Sequence, residues 1–280
     1  MVWGFFLFPT LAPTSNRSAK RCMVAVRKRG ARQKSLLLWM RRCYGVVQPS
    51  LSGAILIPNM GKINLLIANA NDNFEKDEVI AITNASSDVE SFISLHFEFD
   101  YDVDVVVTAP SFLMKVIPED GISARTYNSR LIILVLDKKQ AKITEDKVYE
   151  ILCHEMSHSL RWEKLPEYSD TLFKGIILEG LAIVLEEKAL SEKGHKTPQF
   201  FFETIRNTNE TEYHHIINVL KESFENENYD YEKIFYTGDE SLPRWAGYRL
   251  GYYYVKQYLE SKGRSIEEAT VDSYSSFSYK

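Results

Sequence analysis

The chain has 280 residues, and its 45% of apolar and 12% of aromatic residues suffice for a sizeable core in one large domain or two small ones. These figures exclude a wholly disordered chain, a collagen-like repeat and a small disulfide scaffold. The net charge of −4 divides unevenly: residues 1–59 hold ten basic and no acidic residues, and residues 60–280 hold 24 basic and 38 acidic ones. Three scattered cysteines favour a reducing compartment, so we expect a cytoplasmic protein.

The basic stretch 1–59 has three interpretations. It resembles an organelle transit peptide in being acid-free and bearing Ser and Arg, it suits a tether to nucleic acid or an acidic membrane, or it lies upstream of a true start at Met60. No run reaches the roughly 18 apolar residues that a membrane helix needs. We therefore predict a disordered or upstream extension over 1–59 and a separate domain over 60–280, which is not expected to bind nucleic acid.

From Met60 onward the chain changes from mixed elements to helices. The patterns predict strands at 63–68, 103–108 and 131–137, a helix within 74–98, and a polar loop around Gly121 before the third strand. Thr144 is a suitable N-cap because acidic residues follow it, and it opens a helix to about Trp162. Further helices are predicted at 171–190, 199–223 and 246–261. The predicted fold class is α+β: a small mixed sheet within 60–143, then a mainly helical part over 144–280.

The helix predicted from Thr144 carries an HExxH sequence over residues 154–158. Residues four apart project from one side of a helix, so His154 and His158 can share one zinc ion. The carboxylate of Glu155, next to the first histidine, can then reach a zinc-bound water. A helix that merely bears two surface histidines is the alternative interpretation.

A catalytic zinc needs a third protein ligand, and Glu179 is the candidate. It lies within LFKGIILEGLAIVL, residues 172–185, a segment so apolar that we expect a buried helix. A carboxylate buried there costs several kcal/mol unless a cation or a proton compensates it. Zinc bound to the two histidines would do so; pairing with Lys174 or Arg161, or protonation, are the alternatives. Gly180 would allow another helix to approach closely.

Three segments in order resemble a known family. HEMSHSLRW, LEGLA at 178–182 and PRWAGYRLGYYYV at 243–255 are similar to the predicted zinc-dependent protease domain family, over roughly residues 100–280. The resemblance implies a zincin-like fold and a gluzincin-type site, with one zinc per chain held by His154, His158 and Glu179. It also implies a peptidase with Glu155 as the catalytic residue, and a peptide or protein as the substrate.

The sequence indicates less clearly which residues orient the zinc-binding histidines and which stabilise the oxyanion. Ile183 stands where many gluzincins have an acidic residue that orients a histidine, so Asp170 and Glu186 are the candidates for that task. Tyr248 and Arg249 are candidates to stabilise the oxyanion, although the tyrosines of this segment could simply pack a terminal helix. Residues 131–136 are the predicted sheet edge for an extended substrate.

Two other functions stay open on the sequence alone: a metal-bearing regulatory or binding protein with no turnover, and a zinc hydrolase that does not act on peptides. The excess of acidic residues over 60–280 favours cationic peptides as substrates.

Overall fold

A computed structural model describes residues 60–111, 115–195 and 198–278. The predicted extension over 1–59 lies outside the described residues. The described part begins with a four-stranded sheet and one long helix, and continues as a group of helices. The predicted α+β class, with a small mixed sheet followed by a mainly helical part, is confirmed.

The sheet is formed by four short strands: β1 (Ile63–Ile67), β2 (Val103–Thr108), β3 (Ile122–Asn128) and β4 (Leu131–Leu136). Their order is β1-β2-β4-β3, with β1, β2 and β4 parallel and β3 antiparallel to β4. The predicted edge at 131–136 is therefore wrong, because β4 lies between β2 and β3. The outer strand next to β4 is β3, in the segment that was predicted to be a polar loop.

The sequence patterns did not predict β3 as a strand, because only part of it is buried. Ile122 and Thr126 are buried, whereas the side chains at 125, 127 and 128 are exposed. A strand at the end of a sheet can carry polar residues on its open face, so its apolar content is low. A two-residue connection after Asn128 leads into β4. The two strands then pair in antiparallel fashion, with Arg125 of β3 opposite Ile133 of β4.

Seven α-helices are described: α1 (Lys76–His96), α2 (Glu145–Lys164), α3 (Leu172–Lys193), α4 (Phe200–Arg206), α5 (Glu210–Leu220), α6 (Ala246–Lys262) and α7 (Ile266–Thr270). The helix predicted over 199–223 is interrupted, because the Asn209 side chain accepts a hydrogen bond from Glu212 N and begins α5. A five-residue π-helix, Lys233–Thr237, precedes α6.

The core lies between the sheet and the helices and continues among the helices. Alternate residues of β2, such as Val103, Val105 and Val107, are fully buried, and α1 and α2 contact the sheet through β1 and β3. Helix α3 contacts both α2 and α6. Over the described residues, we find no helix with the length and hydropathy that a membrane span requires.

Candidate metal centre and active site

Helix α2 places the histidine pair inside the molecule. Its first turn is capped by Thr144, whose side chain accepts a hydrogen bond from Lys147 N, and every residue from Val148 to Arg161 is buried. The rings of His154 and His158 lie on one side of the helix with centroids 5.1 Å apart. The interpretation as two surface histidines is therefore wrong, since they are only 4% and 6% exposed.

Helix α3 brings a carboxylate to both rings. One oxygen of Glu179, Oε2, lies 3.3 Å from His154 Nε2 and 3.4 Å from His158 Nε2. One ligand atom from each of the three residues lies within 4.8 Å of the others. The proposed ligands thus converge, although they are separated by 25 residues of sequence and belong to two helices.

The alternative partners of Glu179 are occupied elsewhere. Lys174 donates to Asp170 at 2.6 Å, and Arg161 donates to the carbonyl oxygens of Thr270 and Asp272. No Lys or Arg side chain pairs with Glu179 within the described residues. The two imidazoles are thus the groups that compensate this buried carboxylate.

The pKa values express how strongly these groups interact. Burial alone would raise the pKa of Glu179, but the charges and hydrogen bonds of His158 and His154 lower it to about 2. Burial alone would lower the pKa of His154, but its hydrogen bonds to Glu179 and Glu186 raise it to about 10. Two imidazole nitrogens and one carboxylate oxygen that face one point are donors that suit zinc, so the residues fit this metal.

A second carboxylate from α3 holds the other nitrogen of His154. Glu186 lies two helical turns after Glu179, and its Oε2 is 3.0 Å from His154 Nδ1. Carboxylates in this position fix the orientation of a metal-binding imidazole. In contrast, His158 Nδ1 is buried and has no hydrogen-bond partner within the described residues, and its ring stacks on Trp162.

Behind Glu186 lies a further buried carboxyl group, that of Glu150. Burial and the negative charge of Glu186 raise the pKa of Glu150 well above its usual range. Glu150 therefore keeps its proton and donates a hydrogen bond to Glu186, while its oxygens accept from Gln199 N at 3.0 and 3.1 Å. Glu150 is not among the site residues that the sequence predicted; its place on α2 one turn before His154 was the available signal.

The other candidate for orienting a histidine, Asp170, is not brought to the site. It precedes the first turn of α3, about two turns before Glu179, and pairs with Lys174 at the surface. Nine residues at 1.5 Å of rise each put it about 13 Å from Glu179 along α3.

The carboxylate of Glu155 is held by a residue of the end strand. The Thr126 hydroxyl donates to Glu155 Oε2 at 2.6 Å and also lies 3.0 Å from the Glu155 carbonyl oxygen. Both residues are buried, at 6% and 5% exposure. No sequence pattern marked Thr126, because this contact joins residues 29 positions apart through the packing of β3 on α2.

Tyr248 reaches the site from α6, whereas Arg249 does not. The Tyr248 ring lies 6.3 Å from that of His154, and burial together with the negative charge of Glu179 raises the pKa of its phenol. Arg249 turns away to Glu212 Oε1 at 2.8 Å and to the Arg244 carbonyl oxygen. Of the two candidates for the oxyanion, only Tyr248 is close to the histidines.

The approach of α6 depends on glycine. A Cβ atom on Gly180 would overlap the backbone of Gly251, and one on Gly251 would overlap the carbonyl of Ile176. The two backbones therefore meet directly, one residue after Glu179 and three residues after Tyr248. This close contact sets the distance between Tyr248 and the histidines.

Comparison with known proteins agrees with this arrangement. The model of one family, described as Predicted Zn-dependent protease (DUF2268), matches residues 83–278, well over half of the chain. The chain matched no curated protein and no solved structure at a significant level. Because this match covers more than half of the chain, the chain belongs to the family of predicted zinc-dependent proteases.

Proposed function

We propose that this protein is a zinc-dependent metallopeptidase that hydrolyses peptide bonds with Glu155 as the general base. The observation that carries the proposal is the convergence of His154, His158 and Glu179, with Glu155 on the same helix beside them. One zinc ion per chain would be held by these three side chains. Three protein ligands leave one position open for water, as in catalytic zinc sites.

When bound there, zinc supplies a Lewis acid that polarises a peptide carbonyl and lowers the pKa of a water molecule toward neutrality. The chain's own residues perform the proton transfers. Glu155 accepts the proton of the attacking water and delivers it to the leaving amine. Thr126 keeps the carboxylate of Glu155 in place, because its hydroxyl donates to the oxygen Oε2.

The remaining residues stabilise the charge of the oxyanion and fix the orientation of a metal-binding histidine. Tyr248 keeps its phenolic proton at neutral pH, because its pKa is raised, and it can therefore donate a hydrogen bond to the developing oxyanion. Glu186 fixes the ring of His154 through Nδ1. An extended peptide would add to the outer edge of β3, the strand that carries Thr126.

The test compares purified wild-type protein with two variants. We expect about one zinc per chain in wild type prepared without chelator, and cleavage of members of a diverse peptide library. Glu155→Gln should retain zinc while kcat falls about 1,000-fold, because the general base is lost. His154→Ala should lose zinc.

The control is Glu163→Gln, a change on the same helix in a surface residue paired with Arg130. It should leave zinc content and turnover as in wild type. Absence of zinc in the wild-type protein would contradict the proposal. Zinc without any turnover would indicate a metal-bearing binding protein, and cleavage of esters without peptides would indicate a different zinc hydrolase.

A further inference from the structure

Trp245 has a backbone conformation that bulky residues rarely adopt. It is the N-cap of α6, with φ 62° and ψ 30°, in the left-handed region. That region suits glycine, and a large side chain persists there only where the surrounding structure holds it. Trp245 begins the helix that carries Tyr248, and two residues separate them.

The side chain of Trp245 is held by contacts on its ring. The residue is 2% exposed, and its ring packs edge-on against Phe201 at 5.1 Å and against Phe200 at 6.0 Å. The guanidinium of Arg244 lies over the same ring, 3.9 Å from its centroid. Burial of the indole and the cation–π contact therefore offset the cost of the left-handed backbone.

The groups that contact Trp245 are tied to the loop before β3. Arg244 donates two hydrogen bonds to Glu119, at 2.7 and 3.3 Å. The next residue of the loop, Asp120, is buried and accepts hydrogen bonds from the first two backbone N–H groups of α4, at 2.7 and 3.0 Å. This loop thus fixes both the arginine and the helix that contact the ring of Trp245.

Phe201 connects Trp245 with the candidate metal centre. Its ring packs edge-on against Tyr248 at 5.0 Å and lies 6.5 Å from that of His154. The Tyr248 ring also packs edge-on against Phe235 at 5.5 Å. Trp245 therefore acts on Tyr248 by two routes. Its backbone starts the helical turn that carries the tyrosine, and its ring holds one of the two phenylalanines that contact the phenol ring.

We infer that Trp245 is a positioning residue, which fixes the phenol of Tyr248 beside His154 so that it donates to the oxyanion. The inference rests on the proposed peptidase function and on the role of Tyr248 within it. The contact of Gly180 with Gly251 sets the separation of α3 and α6, whereas Trp245 sets the first turn of α6. Displacement of a catalytic group by about 1 Å can lower a rate about 100-fold.

A residue that merely filled the core would behave differently from a positioning residue. Its replacement would lower the free energy of unfolding, and the folded fraction would turn over substrate at the wild-type kcat. Replacement of a positioning residue lowers kcat in the folded protein and leaves KM nearly unchanged, because the lost interaction belongs to the transition state.

The test is a double-mutant cycle on the zinc-loaded protein with Trp245→Phe and Tyr248→Phe. Trp245→Phe keeps an aromatic ring but not its volume, and we expect kcat to fall about tenfold. Tyr248→Phe removes the donor and should lower kcat about 100-fold. Because Trp245 acts through that hydroxyl, the double variant should also fall about 100-fold, whereas independent effects would give about 1,000-fold.

Phe201→Leu is the second variant, since it removes the ring through which Trp245 contacts Tyr248 and leaves the left-handed residue in place. It should reproduce the tenfold loss and add nothing to Tyr248→Phe. Val255→Ala is the control, because it removes volume from a fully buried residue of α6 about two turns after Tyr248. It should lower stability with kcat unchanged, and all variants should bind zinc as the wild type does.

The ring of Tyr248 gives a second readout that needs neither metal nor turnover. In zinc-free protein with ¹³C-labelled tyrosine, its signal is the one that Tyr248→Phe removes, and the ring current of Phe201 acts on it. Trp245→Phe and Phe201→Leu should each shift this signal. Val255→Ala should leave it in place.

The outcomes distinguish this inference from the proposed function. A wild-type kcat or a wild-type Tyr248 signal in Trp245→Phe, or multiplied losses in the double variant, would overturn the positioning role alone. An unchanged kcat in Tyr248→Phe would overturn the roles of both residues, with zinc-dependent cleavage intact. Absence of any peptide cleavage by the zinc-loaded wild type would overturn the peptidase function and this inference with it.

Discussion

Helix α3 makes two contacts of opposite character. Toward α2 it directs Glu179 and Glu186 to the two ring nitrogens of His154, so this contact consists of buried charged groups. Toward α6 it places Gly180 against Gly251, and the contact consists of two backbones without side chains between them. The first contact places charged groups at the candidate metal centre. The second sets the distance between α3 and α6. Adjacent residues 179 and 180 can do both because they point about 100° apart on a helix.

The difference predicts that substitutions on the two sides of α3 fail in different ways. Changes on the side facing α6 should alter stability, since a backbone contact cannot accommodate new atoms. Changes on the side facing α2 should alter metal binding while the fold is retained, because amide replacements keep the volume of the carboxylates.

The largest expected effect is that of Gly180→Ala. The new methyl group would overlap the backbone of Gly251, so α6 must move, and we expect the free energy of unfolding to fall by about 3 kcal/mol. Denaturant unfolding measures this change. The matched control is Gly175→Ala on the same helix, where the methyl group meets the mobile end of Tyr229 at 3.0 Å and the expected change is within about 1 kcal/mol. Equal stability of both variants would refute a rigid contact.

On the opposite side, Glu179→Gln should weaken zinc binding more than a hundredfold. The amide lacks the negative charge that two imidazoles and a metal attract, and removal of a direct ligand should exceed the effect of losing a supporting residue. Competition with a chelating dye measures the affinity, and circular dichroism checks the fold. Glu187→Gln is the control on the same helix, because Glu187 pairs with Lys256 and Tyr252 instead. Unchanged zinc affinity would remove Glu179 from the ligand set.

A smaller loss is expected for Glu186→Gln. The amide can still accept a hydrogen bond from His154 Nδ1, but it no longer stabilises positive charge on the ring, so zinc affinity should fall about 10- to 100-fold. The same competition experiment applies. If the loss equals that of Glu179→Gln, Glu186 itself would have to be reassigned as a ligand.

The sequence predicted the fold where its patterns were periodic. The helices that carry His154, Glu179 and Tyr248 were predicted within a few residues of their bounds, since long amphipathic or apolar segments and a Thr N-cap mark them clearly. The strand β3 was missed because its open face is polar, and with it the true edge of the sheet was missed. Strand order depends on contacts between distant segments, and no local pattern records it.

The candidate site shows the same limit. His154, Glu155 and His158 follow from local spacing, and Glu179 follows from the cost of burying a carboxylate in an apolar helix. Thr126 lies outside any such pattern, because only the packing of β3 on α2 gives it a partner at the site. Glu150 lies one turn before His154, but its role depends on Glu186, which a different helix supplies.

The smallest expected effect concerns Glu150→Gln, which tests the side of α2 that faces Glu186. The folded state raises the pKa of Glu150, so the wild-type protein holds an extra proton relative to the unfolded chain once the pH exceeds about 4.5. Its stability must then decline as the pH rises, whereas glutamine does not titrate.

The amide of Glu150→Gln can still donate to Glu186 and accept from Gln199 N. The stability of Glu150→Gln relative to wild type should therefore rise by about 1.4 kcal/mol from pH 6 to pH 7, because each pH unit between the unfolded and the folded pKa of Glu150 costs the wild type about that much. Denaturant unfolding of both proteins at a fixed saturating zinc concentration gives the difference, and an offset that is constant across this pH range would place the buried proton on a group other than Glu150.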